Sequence, residues 1–98
     1  MEEGTLERLE QQFQAFARHE FYEWQYRIIL ECLRYWELYD GVHHTQHSAY
    51  IRELYFCDEN DGRGAADRLQ LVRRTLYRYR IDYMKIFIQV CRNNDVIV

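Results

Sequence analysis

The chain contains no proline, so no residue forcibly stops a helix or locks a turn. Glycine is scarce: Gly4, Gly41, Gly62 and Gly64 are the four copies. Together with the polar stretches 40–47 and 58–64, they mark the expected breaks and predict three pieces. Lysine is nearly absent, Lys85 standing alone among thirteen basic residues. The three cysteines, Cys32, Cys57 and Cys91, are odd in number and far apart. That is a poor disulfide framework and predicts reduced thiols in an intracellular, cytoplasmic or nuclear protein. No apolar run approaches the ~18–20 residues that a membrane span needs. Met1-Glu2-Glu3-Gly4 lacks the basic-then-apolar order of a secretory signal. Internal repeats and low-complexity tracts are missing as well.

Apolar material, by contrast, is plentiful: hydrophobic residues make up 48% of the chain and aromatics 16%. A chain of 98 residues predicts one domain over 1–98, burying roughly 60–65% of its unfolded surface. Tyrosine leads with nine copies, and it suits surfaces that are wet in one state and covered in another. Charge is divided unevenly along the chain. Residues 1–59 carry five Arg against twelve Asp and Glu, a balance of −7. Residues 60–98 carry eight basic residues against four Asp, a balance of +4.

The hydrophobic spacing predicts helices. Thr5 is a candidate N-cap with Glu7 in the first turn. Leu6, Leu9, Phe13 and Phe16 follow with spacings of 3, 4 and 3. The stripe continues through Ala17, Phe21, Trp24 and Ile28, and Tyr22, Tyr26, Ile29, Leu33 and Trp36 widen it toward residue 39. A straight helix over 5–39 would be about 50 Å long at ~1.5 Å per residue, too long for a compact chain about 25–30 Å across. Either it breaks or a second chain covers its far end. Ser48 can cap a short helix over 48–57. The clearest pattern is at 65–92, where Leu69, Val72, Leu76, Tyr79, Tyr83, Ile86 and Val90 step by 3 and 4 like a heptad. Residues 77–83 also alternate like a half-buried strand, but no turn residue interrupts 65–92 to make a hairpin. The expected fold is therefore all-α: a bundle of three to four helices with a long C-terminal helix. A homodimer is expected, through the heptad face or the wide N-terminal helix.

Few residues suggest chemistry. His43 and His47, spaced i, i+4, could join Cys57 in a zinc site, but no second ligand pair accompanies them. Residues 58–62 resemble the start of a calcium loop, yet Gly62 and Leu69 fall at the wrong positions. His19-Glu20-Phe21-Tyr22-Glu23 is H-E-x-x-E and not a zinc-protease motif. No phosphate loop or nucleophile elbow is present. The expectation is a protein that is not an enzyme and needs no cofactor.

Interaction is the stronger theme. Trp24, Trp36, Tyr22 and Tyr26 are candidate contact residues for a protein partner, since Trp, Tyr and Arg dominate interface hot spots. Alternatively, Arg73, Arg74, Tyr77, Arg78 and Lys85, with Met84 near the same flank, could meet the phosphates of RNA or DNA. The sequence pI of about 5.8 weighs against that alternative. A third reading lets the acidic and basic regions pair within the chain and set helix orientation. In shortness and Trp- and Tyr-rich helical character the chain resembles small viral accessory or regulatory proteins, a likeness of general type and not of any motif.

Overall fold

A computed structural model describes residues 1–56 and 69–96. Four helices and no strands occur among them: α1 (Glu3–Ala17), α2 (Glu23–His43), α3 (His47–Tyr55) and α4 (Arg73–Asn93). The molecule is an all-α bundle measuring 36 × 30 × 25 Å. The long N-terminal segment breaks into two helices, and the break needs no glycine. His19 adopts φ 60°, the left-handed conformation. The His19 and Glu20 N–H groups then donate back to the Phe16 and Ala15 carbonyls at 3.0 and 2.8 Å. This is a Schellman closure with histidine where glycine is usual. The same closure ends α4, with Asp95 at φ 59° and the Val96 N–H donating to the Cys91 carbonyl at 2.8 Å.

Glycine placement corrects the expected breaks. Gly4 lies in the first turn of α1 and Gly41 lies inside α2. The described left-handed residues are His19, His44, Gln70 and Asp95 instead. Gly62 and Gly64 lie outside the described residues. Thr5 is likewise inside α1, whose N-cap is Glu2.

Helix α3 begins at His47, one residue before its expected cap. The cap comes from outside the helix. One carboxylate oxygen of Asp40 accepts from the Thr45 hydroxyl at 2.7 Å and the His47 N–H at 2.9 Å. The other accepts from the Ser48 N–H at 2.8 Å. Burial pushes Asp40's pKa up, but these donors together hold it below the ordinary carboxylate range. A residue in the last turn of α2 therefore caps the start of α3 and ties the two helices together.

The C-terminal helix is shorter than its heptad pattern suggests. Leu69 and Gln70 form a turn, Val72 is the exposed N-cap, and α4 starts at Arg73. The expected start at 65 lies outside the described residues. From Leu76 onward the stripe faces the chain's own core: Leu76, Tyr83 and Val90 are buried, with Met84, Phe87 and Cys91 beside them. Met84 thus sits in the core and not on the basic flank, and the heptad face is already occupied within one chain. The core joins this face to Leu6, Leu9 and Phe13 of α1, Ile28, Ile29, Cys32 and Trp36 of α2, and Ile51, Leu54 and Tyr55 of α3.

One polar cluster lies inside this core. Glu10 is 6% exposed. It accepts from the Tyr55 hydroxyl at 2.6 Å and from Arg80 Nε and Nη2 at 3.0 and 2.7 Å. Hydrogen bonding to Glu10 drives the Arg80 guanidinium further toward its charged form, and burial beside Glu10 pushes the Tyr55 hydroxyl up. The acidic N-terminal and basic C-terminal regions therefore meet inside one chain here. Losing one partner of such a pair costs more than losing both. Arg80→Met is expected to cost about 3 kcal/mol in urea unfolding by leaving the Glu10 carboxylate stranded. Replacing Glu10→Leu, Arg80→Met and Tyr55→Phe together should recover most of that loss. A triple variant no more stable than Arg80→Met would contradict this account.

Candidate interaction site

Ten large hydrophobic side chains are exposed among the described residues, and seven lie on Tyr22–Val42. They are Tyr22, Trp24, Tyr26, Leu30, Tyr35, Leu38 and Val42, with Leu38 66% and Val42 73% exposed. Helix α2 buries Ile28, Ile29, Cys32 and Trp36 on its inner side and still carries apolar groups around most of its outer side. A helix that only covers a core is polar on its far face. The outer face of α2 instead alternates sign among its apolar groups, through Glu23, Arg27, Glu31, Arg34 and Glu37. A shallow depression runs over Arg27, Leu30, Glu31, Leu33, Arg34 and Glu37, and a second over Glu23, Trp24 and Arg27.

At the α1–α2 corner the aromatics stack upon one another. Phe16, Phe21 and Tyr26 have ring centroids 5.1 to 5.9 Å apart. The Tyr22 N–H donates to Gln25 Oε1 at 2.8 Å, which starts α2 and leaves the Tyr22 ring in solvent. Of the four candidate contact residues, Tyr22, Trp24 and Tyr26 are therefore on the surface.

Trp36 is not. It is 6% exposed and stands edge-on to Tyr83 at 5.1 Å and to Tyr39 at 5.2 Å. Position 36 falls on the inner stripe with Ile29 and Cys32, so packing claims the ring. Among the described residues its indole N–H has no acceptor.

His47 fills the space beside it. Its ring lies 4.9 to 6.0 Å from Trp36, Tyr39, Tyr50, Tyr79 and Tyr83. Its Nδ1 is 2.8 Å from the Tyr83 hydroxyl. Burial pushes the Tyr83 pKa up, so that hydroxyl keeps its proton and donates to a neutral imidazole. The other zinc candidate, His43, stacks on Tyr39 at 4.2 Å. Cys57 lies outside the described residues, and no group of three metal-ligating side chains occurs among those described. Burial also raises both described thiols, Cys32 strongly and Cys91 to about 11, which keeps them protonated.

On α4 the nucleic-acid candidates Arg73, Arg74, Tyr77, Arg78 and Lys85 are all exposed. Tyr77 lies under the Arg80 guanidinium at 5.9 Å, which places its ring on the α1 side of the helix. Sequence reasoning passed over Leu30, Leu38 and Val42, which read as ordinary core formers until Ile28, Ile29 and Trp36 occupy the inner stripe. No family model, curated protein or solved structure is detectably similar to this chain.

Two measurements follow from these positions. Trp36→Ala should cost about 3–5 kcal/mol and Trp24→Ala about 0.5 kcal/mol or less, read by urea denaturation; similar losses would contradict the assignment. The second concerns pH. Burial disfavours the charged form of His47 and outweighs the pull of Asp40 and Asp82, so its pKa lies below 6.5. The unfolded chain thus takes up this proton more readily than the folded one, and stability present above pH ~6.5 is lost as pH falls below it. Asp40 titrates lower still and does not enter this window. The urea midpoint should fall between pH 7.5 and 5.5 in the wild type and stay level in His47→Gln. An equal fall in both would assign the effect elsewhere.

Proposed function

We propose that this is a non-enzymatic interaction protein that works through the outer face of α2, and that a second copy of the chain is its first occupant. The carrying observation is the concentration of exposed apolar side chains on one helix whose inner side is already satisfied. Exposed apolar side chains gathered on one helix in this way mark interaction sites. Tyr22, Trp24 and Tyr26 supply large rings with few rotatable bonds, the residue types that anchor interfaces.

The alternating charges favour a like partner. A two-fold axis between Leu30 and Arg34 would oppose Arg27 of one copy to Glu37 of the other, and again by symmetry. The same operation brings Tyr26 toward Leu38, an aromatic against an exposed aliphatic. At about 30 Å long, α2 offers a face of the length that small dimers use. The heptad face of α4 is unavailable for this purpose, because Leu76, Tyr83 and Val90 already pack inside the chain.

Sedimentation equilibrium tests the reading. The wild type is expected as a dimer at ~10–100 μM, within the affinity range of interfaces of modest area. Leu38→Asp should give a monomer with unchanged helical circular dichroism, because Leu38 is 66% exposed and outside the core. Arg27→Glu should weaken the dimer and Arg27→Glu with Glu37→Arg should restore it. A wild type that stays monomeric at several hundred micromolar would overturn the second copy as occupant.

A further inference from the structure

Helix α4 carries a second pattern beside its buried stripe. Arg74, Arg78, Ile81, Lys85, Ile88 and Arg92 step by 4, 3, 4, 3 and 4, so they share one face. The stripe runs about 27 Å at ~1.5 Å per residue. Arg74, Arg78, Lys85 and Arg92 are exposed, and among the described residues none lies within ion-pair distance of a carboxylate. Asp82, the acid of α4 itself, sits one turn from Arg78 and from Lys85 and pairs with neither. Helix α4 as a whole holds six basic residues and this one acid, and Arg80 alone of the six turns inward.

We infer that this face of α4 is a docking surface for the phosphate backbone of duplex DNA. Four cations in a row, without an ion pair among the described residues, are complementary to a line of fixed negative charge. Ile81 and Ile88 are half-buried and packed against the core, so they are not free to enter a lipid bilayer. The face carries no ring on which unpaired bases could stack, Tyr77 being turned toward Arg80. Exposed Asp82 and Gln89 flank the row, the Gln89 amide being engaged with Asn93, so the row itself meets DNA through cations, and its straight line fits the charge of the backbone. A DNA major groove ~12 Å wide admits a helix ~10–12 Å across, whereas the deep, narrow groove of duplex RNA does not. The acidic residues elsewhere do not cancel the stripe, because beyond ~10 Å their repulsion is screened at 0.1 M salt. This assignment stands on α4 and is independent of the α2 contact.

Fluorescence anisotropy with a labelled 20-base-pair DNA duplex tests it across 50–200 mM salt. Four phosphate contacts predict a log–log slope near −3.6, or about 100-fold weaker binding over that range. Arg74→Gln with Arg78→Gln should cut the slope by about 2 with helicity intact. Arg8→Gln with Arg18→Gln, an equal charge change on α1 and at its C-cap, should leave the slope unchanged. Four results would each overturn the inference: no binding at 50 mM salt, equal weakening by the α1 pair, tighter binding to duplex RNA, or binding to anionic vesicles but not to DNA.

Discussion

The contact on which the rest of the arrangement depends is the buried cluster of Glu10, Tyr55 and Arg80. It ties α1, α3 and α4 together through one carboxylate. Apolar packing alone would tolerate small rotations of a helix, since neighbouring core side chains are similar in shape and lack directional bonds. A guanidinium fork on a carboxylate does not, because its two hydrogen bonds fix both distance and angle. With Arg80 held inward, the heptad stripe of α4 must face the core and Arg74, Arg78, Lys85 and Arg92 must face out. The charge asymmetry of the sequence thus has two uses in one helix. One cation sets the rotation, and the others are left for solvent or a partner.

A second polar device works at the other end of the bundle. Asp40, in the last turn of α2, caps the start of α3, holding two backbone N–H groups and a hydroxyl. That placement brings His47 under Trp36 and between the tyrosines of α3 and α4. Aromatic packing of this density explains where much of the tyrosine goes: Tyr39, Tyr50, Tyr79 and Tyr83 serve this nest. Tyr22, Tyr26 and Tyr35 remain exposed on or beside α2. The molecule therefore has two outward faces of different character, an apolar one with mixed charge on α2 and a basic one on α4.

Much of the fold was legible in the sequence. Leu6, Leu9 and Phe13 bury as their spacing predicts, and so do Leu76, Tyr83 and Val90. Length alone required the segment 5–39 to break or be covered, and it breaks. Whether it breaks near His19 and Glu20 was not decidable from the sequence, because the left-handed turn falls on His19, and histidine carries no turn preference as strong as glycine's. The helix starts were hidden for a related reason: Asp40 caps from seven residues away, while the eye goes to Ser48 and Thr5. In the candidate site, Tyr22, Trp24 and Tyr26 were separable from Trp36 only once the inner stripe was known, since all four show helical spacing. Arg74, Arg78 and Lys85 were legible as a basic flank of the C-terminal helix, but that Met84 is in the core and that Arg80 is the one cation turned inward required the burial pattern and the distance to Glu10.

The central claim is that half-buried Arg80 is held against Glu10 at the edge of the core and thereby sets the face that α4 turns outward. The most direct measurement is the side-chain Nε–H resonance of Arg80 in a nitrogen-15 correlation spectrum, with Arg80→Lys supplying the assignment. The account predicts one arginine signal shifted apart from the rest, slow to exchange with water, and showing cross-relaxation to the Tyr55 ring. An Arg80 signal that exchanges as fast as those of the exposed arginines and shows no contact with Tyr55 would contradict it.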